Sequence, residues 1–287
     1  GGRRTIKQKT TPRGGGDGRM AAGGADKPAV FVLPGILGSH LKVDGKRIWL
    51  GWRLINGLKR LAYPDAAGRS VQPDGPVGLS YDDLIDFLGH THQVIEFAYD
   101  WRKPIEHEAQ RLGLAVQTAL AARDQSGLPV RIVAHSMGGL VARTMQLECP
   151  DVWAQMMARP GARLLMLGTP NAGSWAPMQV LSGDDTFGNA LVAFGAPFQD
   201  HSARELMAQF PGFLQLQQSL VDDPRGLDRH TTWKQLAADD LAQVEAQSRW
   251  HDDPRQITAY RWGVPSQAVL DAAVALRRRL DAQRDTV

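Results

Sequence analysis

Residues 130–139 read Val-Arg-Ile-Val-Ala-His-Ser-Met-Gly-Gly, and no other run constrains the fold as tightly. Val130, Ile132 and Val133 make a short apolar strand. Leu140 to Gln146 reads as helix, so His135-Ser136-Met137-Gly138-Gly139 must turn the chain abruptly between the two. Such a corner forces its serine into a strained backbone conformation and pushes the hydroxyl out of the sheet. The helix crosses close to the strand, so the flanking residues must be small, and here they are Ala134, Gly138 and Gly139. The usual pattern is Gly-x-Ser-x-Gly, and Ala134 adds one methyl to its first position. Ser136 is therefore a candidate nucleophile. The bland alternative is a chance serine at a Gly-rich helix start; the strand before it and the helix after it argue against that.

The segments around this corner alternate in type. Ala29 to Leu33 is continuously apolar, as a strand buried on both faces would be, and ends in the turn-rich Pro34-Gly35-Ile36-Leu37-Gly38-Ser39. Leu41 to Leu50 suits a hairpin about Asp44-Gly45. Residues 51–80 read as loop-rich and partly helical, Tyr81 to Leu88 as helix, and His92 to Tyr99 as strand. Ile105, Leu112, Val116 and Leu120 fall near the helical period, with Gly127 and Pro129 to stop that helix. Ala162 to Gly168 reads as another buried strand. Strand, helix, strand, helix, strand predicts right-handed parallel crossovers and an α/β class, with a mostly parallel sheet and helices on both faces. After residue 174 the pattern turns helical, around 186–194, 203–209, 213–221, 232–249 and 266–284, with Ser266 as N-cap of the last. The expected organisation is a disordered basic leader at 1–27, a core at 28–174 and a mainly helical cap at 175–287.

A serine hydroxyl is a weak nucleophile at neutral pH. It needs a base, a carboxylate to orient the base, and donors for the developing oxyanion. The corner offers the N–H of Met137 as one donor. The second is expected from the loop after an early strand, here Leu33 to Gly38, with Ile36 as the candidate. An ordinary strand-ending turn is the alternative reading of that loop.

Four pieces occur in this order: Leu33-Pro34-Gly35-Ile36-Leu37-Gly38-Ser39, Tyr99-Asp100-Trp101-Arg102, Ala134-His135-Ser136-Met137-Gly138-Gly139 and Gly168-Thr169-Pro170-Asn171-Ala172-Gly173-Ser174. Together they resemble the lecithin:cholesterol acyltransferase-like lipases over residues 29 to about 215, Phe210-Pro211-Gly212 included. The resemblance implies an α/β-hydrolase fold with a cap, acting on phospholipid or other lipid esters through an acyl-enzyme. It carries the nucleophile onto Ser136 and the oxyanion hole onto Ile36 and Met137. Asp100-Trp101-Arg102 reads as structural, with a substrate role for Arg102 as the alternative.

The chain departs from that family where the triad acid and base are due. Acid and histidine normally follow the next core strand. Gly183-Asp184-Asp185-Thr186-Phe187 lies too soon, and Asp285-Thr286-Val287 leaves no room for a histidine. His201, His230 and His251 fall in the cap, and His135 should point away from Ser136. The expectation is that acid and base lie beyond Val287, with the last core strands missing here. The alternative function is a non-catalytic module of the same fold, binding or scaffolding. A peptidase is disfavoured, because no charged pocket for a peptide terminus is evident.

Composition adds limits. Residues 1–28 hold seven Lys/Arg against Asp17 and Asp26, so the net charge of +3 belongs to the leader and not to the body. That leader reads as a solvated tail and not as a nucleic-acid contact. The single cysteine, Cys149, allows no intrachain disulfide. No signal peptide or membrane-spanning run is visible, which points to the cytoplasm. No metal or other cofactor is expected, since no cluster has ligand spacing. The expected partner is a lipid or ester substrate, with peripheral contact at a lipid surface. Trp175, Phe187, Phe194, Phe198, Phe210 and Phe213 give the cap an apolar character that suits either a lipid-binding lid or cap-to-core packing.

Overall fold

The computed structural model describes residues 25–36, 38–44, 46–47, 63–65, 70–76, 78–183, 201–247 and 261–283. In chain order β1 (Ala29–Leu33) is followed by β2 (Ser39–Val43), β3 (Lys46–Arg47), β4 (Val71–Pro76), α1 (Gly78–Gly89), β5 (Gln93–Glu96), α2 (Ile105–Ala121), β6 (Val130–His135), α3 (Met137–Glu148), α4 (Pro150–Met157) and β7 (Arg163–Leu167). Then come α5 (Ala176–Ser182), α6 (His201–Met207), α7 (Pro211–Leu214), α8 (His230–Gln247) and α9 (Gln267–Ala282).

β1 is apolar throughout because it is central. The main sheet runs β5-β1-β6-β7 with every pair parallel, and the register sets Leu33 beside Ala134 and His135 beside Leu167. The ends that carry the Leu33–Gly38 loop and Ser136 are thus neighbours. Side chains alternate across β1. Ala29, Phe31 and Leu33 join the cluster formed with Leu112 and Val116 of α2 and Leu140 and Met145 of α3. Val32 packs on the opposite face against Tyr81 and Ile85 of α1. Helices on both faces of a parallel sheet make this an α/β fold.

α2 forms where the periodicity predicts it, with Ile105, Leu112, Val116 and Leu120 buried. Glu106 and Glu108 in its first turn complement the positive end of the helix. Gly113 allows α3 to come near, since a Cβ there would stand 2.5 Å from Cys149 Sγ. The hairpin about Asp44-Gly45 is also present, Lys42 opposite Arg47 and Val43 opposite Lys46, with Asp44 at φ 50° as a two-residue turn requires. Ser266 caps α9 by accepting the N–H of Val269.

Three readings need correction. β4 falls inside the stretch read as loop and helix. Its Pro73 and Pro76 weaken the strand signal, yet it pairs with β2 at the edge of a small β3-β2-β4 sheet, where a missing donor is tolerated. The helix expected over 213–221 stops at Leu214. Gln217 instead bridges to Ser174, and Ser219 and Asp222 take positive φ. β7 is a strand but not a buried one: Leu165, Met166 and Leu167 are 51%, 37% and 39% exposed. Among the described residues it pairs only with β6, along one edge. The leader to residue 24 and the helix expected at 186–194 lie outside the described residues.

Candidate active site

Ser136 occupies the turn between β6 and α3 at φ 52° and ψ −124°. Few non-glycine residues hold such angles, which cost on the order of 1–3 kcal/mol. The surroundings enforce them. The Ser136 N–H donates to the Leu167 carbonyl at the end of β7 (2.8 Å), and its own carbonyl accepts from Gly139 N (3.0 Å). Ala134 is fully buried. A Cβ on Gly138 would lie 2.7 Å from the Pro34 carbonyl oxygen and 2.9 Å from that of Leu33. A Cβ on Gly139 would run into the Thr169 side chain. The small residues singled out in the sequence are therefore required by backbone crossing on one side and by the Gly168–Ser174 loop on the other.

The Leu33–Gly38 loop stands directly beside this corner. A Cβ on Gly35 would be 3.1 Å from Ser136 Cβ and 3.1 Å from His135 Nδ1. Four of the loop's polar groups are spoken for, in three hydrogen bonds. The Tyr99 hydroxyl donates to Pro34 O (2.8 Å), the Gly35 N–H donates to the Tyr81 hydroxyl (2.8 Å), and the Gly38 N–H donates to Gly35 O (3.0 Å). Among the described residues the N–H groups of Ile36 and Met137 have no hydrogen-bond partner. Met137 opens α3, so its N–H sits at the positive end of that helix. Burial pushes the Tyr81 hydroxyl above its ordinary pKa and that of Tyr99 well above, so both keep their protons at neutral pH. These tyrosines escaped the sequence reading: Tyr81 is one apolar residue on a helix, and Tyr99 merely opens the Asp-Trp-Arg piece.

His135 turns to Tyr81, whose hydroxyl lies 2.8 Å from its Nδ1. Among the described residues Ser136 Oγ has no hydrogen-bond partner, and no histidine or carboxylate reaches it. His230 sits at the start of α8 with Nδ1 on the Pro265 carbonyl (2.7 Å). His251, Asp184, Asp185 and Asp285, and the side chain of His201, lie outside the described residues. Among the described residues no group of three or more His, Cys, Asp or Glu is placed to hold a metal ion, and no helix is long and apolar enough to cross a membrane.

Asp100-Trp101-Arg102 lies beneath the site. Arg102 and Asp100 are fully buried and paired (2.7 Å), and Arg102 also meets Asp65 (3.0 Å). A guanidinium so enclosed holds the corner after β5. The same corner receives Phe210-Pro211-Gly212. Phe210 packs edge-on against Trp101 with centroids 5.6 Å apart, and Gly212 N donates to Arg102 O (3.2 Å). The Gly168–Ser174 loop is tied down from two helices, by Arg143 Nη1 on Asn171 Oδ1 (3.0 Å) and Arg277 Nη1 on Asn171 O (2.6 Å).

A search of curated proteins finds no match to the chain. The family model for lecithin:cholesterol acyltransferase matches residues 83–246, from within α1 almost to the end of α8. That stretch takes in Asp100-Trp101-Arg102, Ser136 and the Gly168–Ser174 loop, and it starts after the Leu33–Gly38 loop. With more than half of its length matched and a parallel sheet flanked by helices, the chain belongs to the lecithin:cholesterol acyltransferase family, in the α/β-hydrolase group of lipases and acyltransferases.

Proposed function

We propose that this chain carries the nucleophile of a serine esterase or lipid acyltransferase, with Ser136 in that role and the N–H groups of Ile36 and Met137 as the oxyanion hole. The observation that carries this is the backbone of Ser136. A residue at φ 52° and ψ −124° is strained, and backbone strain of this kind clusters at functional sites. Ser136 Oγ attacks the ester carbonyl carbon as a base takes its proton. The tetrahedral oxyanion is held by the Ile36 and Met137 N–H groups, each worth about 10²–10³ in rate. Collapse expels the alcohol, which takes the proton and leaves an acyl group on Ser136. Water then completes hydrolysis, or a second alcohol completes transfer.

The base and its orienting carboxylate belong, in this reading, to residues outside those described. The other edge of β7 is where a further parallel strand would pair, and its end would present them near Ser136. The substrate class, a lipid or other carboxylic ester, follows from the family. The test is fatty-acid release from phosphatidylcholine vesicles, with and without an added lipid alcohol. Release or transfer that disappears in Ser136→Ala supports the reading. Turnover that survives Ser136→Ala overturns it.

A further inference from the structure

We infer that Tyr81 and Tyr99 are positioning residues that clamp one peptide of the oxyanion loop from both sides and so aim the next N–H, that of Ile36, at the reaction site. The inference rests on the reading of Ile36 as an oxyanion donor and adds what holds that donor in place.

The clamped group is the Pro34–Gly35 peptide. In a trans peptide the C=O and N–H point in opposite directions. Tyr99, after β5, donates to the Pro34 carbonyl, and Tyr81, on α1, accepts the Gly35 N–H, each at 2.8 Å. The two hydroxyls come from different elements and stand at opposite ends of one peptide. Rotating it would break both bonds. That restraint is needed here because Gly35 has no Cβ to limit its own backbone, and none can be added without crowding Ser136 and His135. The following peptide is fixed by its carbonyl: Gly35 O accepts from Gly38 N at 3.0 Å. Its N–H is that of Ile36, which must then point away from Gly38. With Gly35 N–H spent on Tyr81 and Gly38 N–H on Gly35 O, Ile36 is the donor left among the loop's described residues.

Tyr81 also ties the loop to the nucleophile. A hydroxyl has one proton. Accepting from Gly35, Tyr81 keeps its one proton for His135 Nδ1, 2.8 Å away, and the donation is assigned in that direction. This requires neutral His135 to carry its proton on Nε2. Tyr81 is 7% exposed and Tyr99 is fully buried, so water competes little for either. One hydroxyl on α1 thus joins the loop after β1 to the residue before Ser136.

The test uses the full ¹⁵N-labelled chain. Long-range ¹H–¹⁵N correlation of the imidazoles should show His135 as the Nε2–H tautomer. In Tyr81→Phe the Gly35 amide should exchange with solvent about tenfold faster or more, the scale of one lost hydrogen bond, while the Phe31 amide in β1 is unchanged. Phosphonylation of Ser136 by a fluorophosphonate should slow by about tenfold in its rate constant with no change in reversible affinity, because only the charge-developing step needs the donor. Equal Gly35 exchange in the two proteins overturns the clamp, and an Nδ1–H tautomer in the wild type overturns the donation from Tyr81 to His135. Faster Gly35 exchange with identical phosphonylation upholds the clamp and overturns instead the role given to Ile36, whereas a lack of phosphonylation in both proteins overturns the reading of Ser136 as nucleophile.

Discussion

Replacing Ser136 by glycine should stabilise the protein, and replacing it by alanine should not. Ser136 sits at φ 52° and ψ −124°, a conformation that costs a residue with a Cβ about 1–3 kcal/mol. Alanine keeps the Cβ and therefore keeps the strain. Glycine is free of it but loses about 0.5–1 kcal/mol through the greater entropy of its unfolded chain. The net gain is about 1 kcal/mol, which for a chain of this size raises Tm by about 2–4 °C. The Ser136 N–H bond to Leu167 O survives in both variants, since it is made by the backbone. Thermal melts followed by circular dichroism, with the two variants side by side, read the difference directly. A glycine variant that melts at or below the alanine variant would refute the claim that the corner is strained, and with it the main reason for assigning Ser136 a chemical role.

Other perturbations have definite expected outcomes. Gly138→Ala puts a Cβ 2.7 Å and 2.9 Å from two backbone oxygens at the end of β1; it should cost about 1–3 kcal/mol in urea titration and lower Ser136 labelling by about 10²-fold, because the displaced strand carries the Ile36 loop. Arg102→Met strands Asp100 without its fully buried partner and should cost about 3–5 kcal/mol by the same titration. His92 accepts from Arg131 on its Nε2, and burial followed by that guanidinium holds its pKa below 6.5. The unfolded chain takes up the proton more readily, so this stabilisation is fully present above pH 6.5 and is lost as the pH falls below it. The urea midpoint of the wild type should therefore drop between about pH 7.5 and pH 5.5 more than that of His92→Gln, which does not titrate there.

The core of the fold was legible because burial leaves a continuous signal. β1, β6 and α2 carry apolar residues at the spacing their packing demands, and Ser136 stands out because Ala134, Gly138 and Gly139 have no other reason to cluster. What the sequence concealed depends on partners distant in the chain. β4 carries two prolines and is a strand only because β2 lies beside it. β7 looks buried from Leu164 to Leu167, yet its exposure depends on what pairs with its far edge, which no local pattern records. Tyr81 and Tyr99 are indistinguishable from core aromatics until their hydroxyls are seen on Gly35 and Pro34, 46 and 65 residues away respectively. The Asp100–Arg102 pair could be read either way from its residues, and its full burial, which supports the structural reading, depends on partners such as Asp65 that the local sequence does not show.

The most direct measurement is covalent. The chain is incubated with a fluorophosphonate, with and without added imidazole as an external base, and the adduct is located by intact mass and peptide mapping. A single adduct on the peptide containing Ser136 is expected, formed faster with imidazole and missing in Ser136→Ala. No adduct under either condition, or an adduct on another residue, would contradict the assignment of Ser136 as nucleophile.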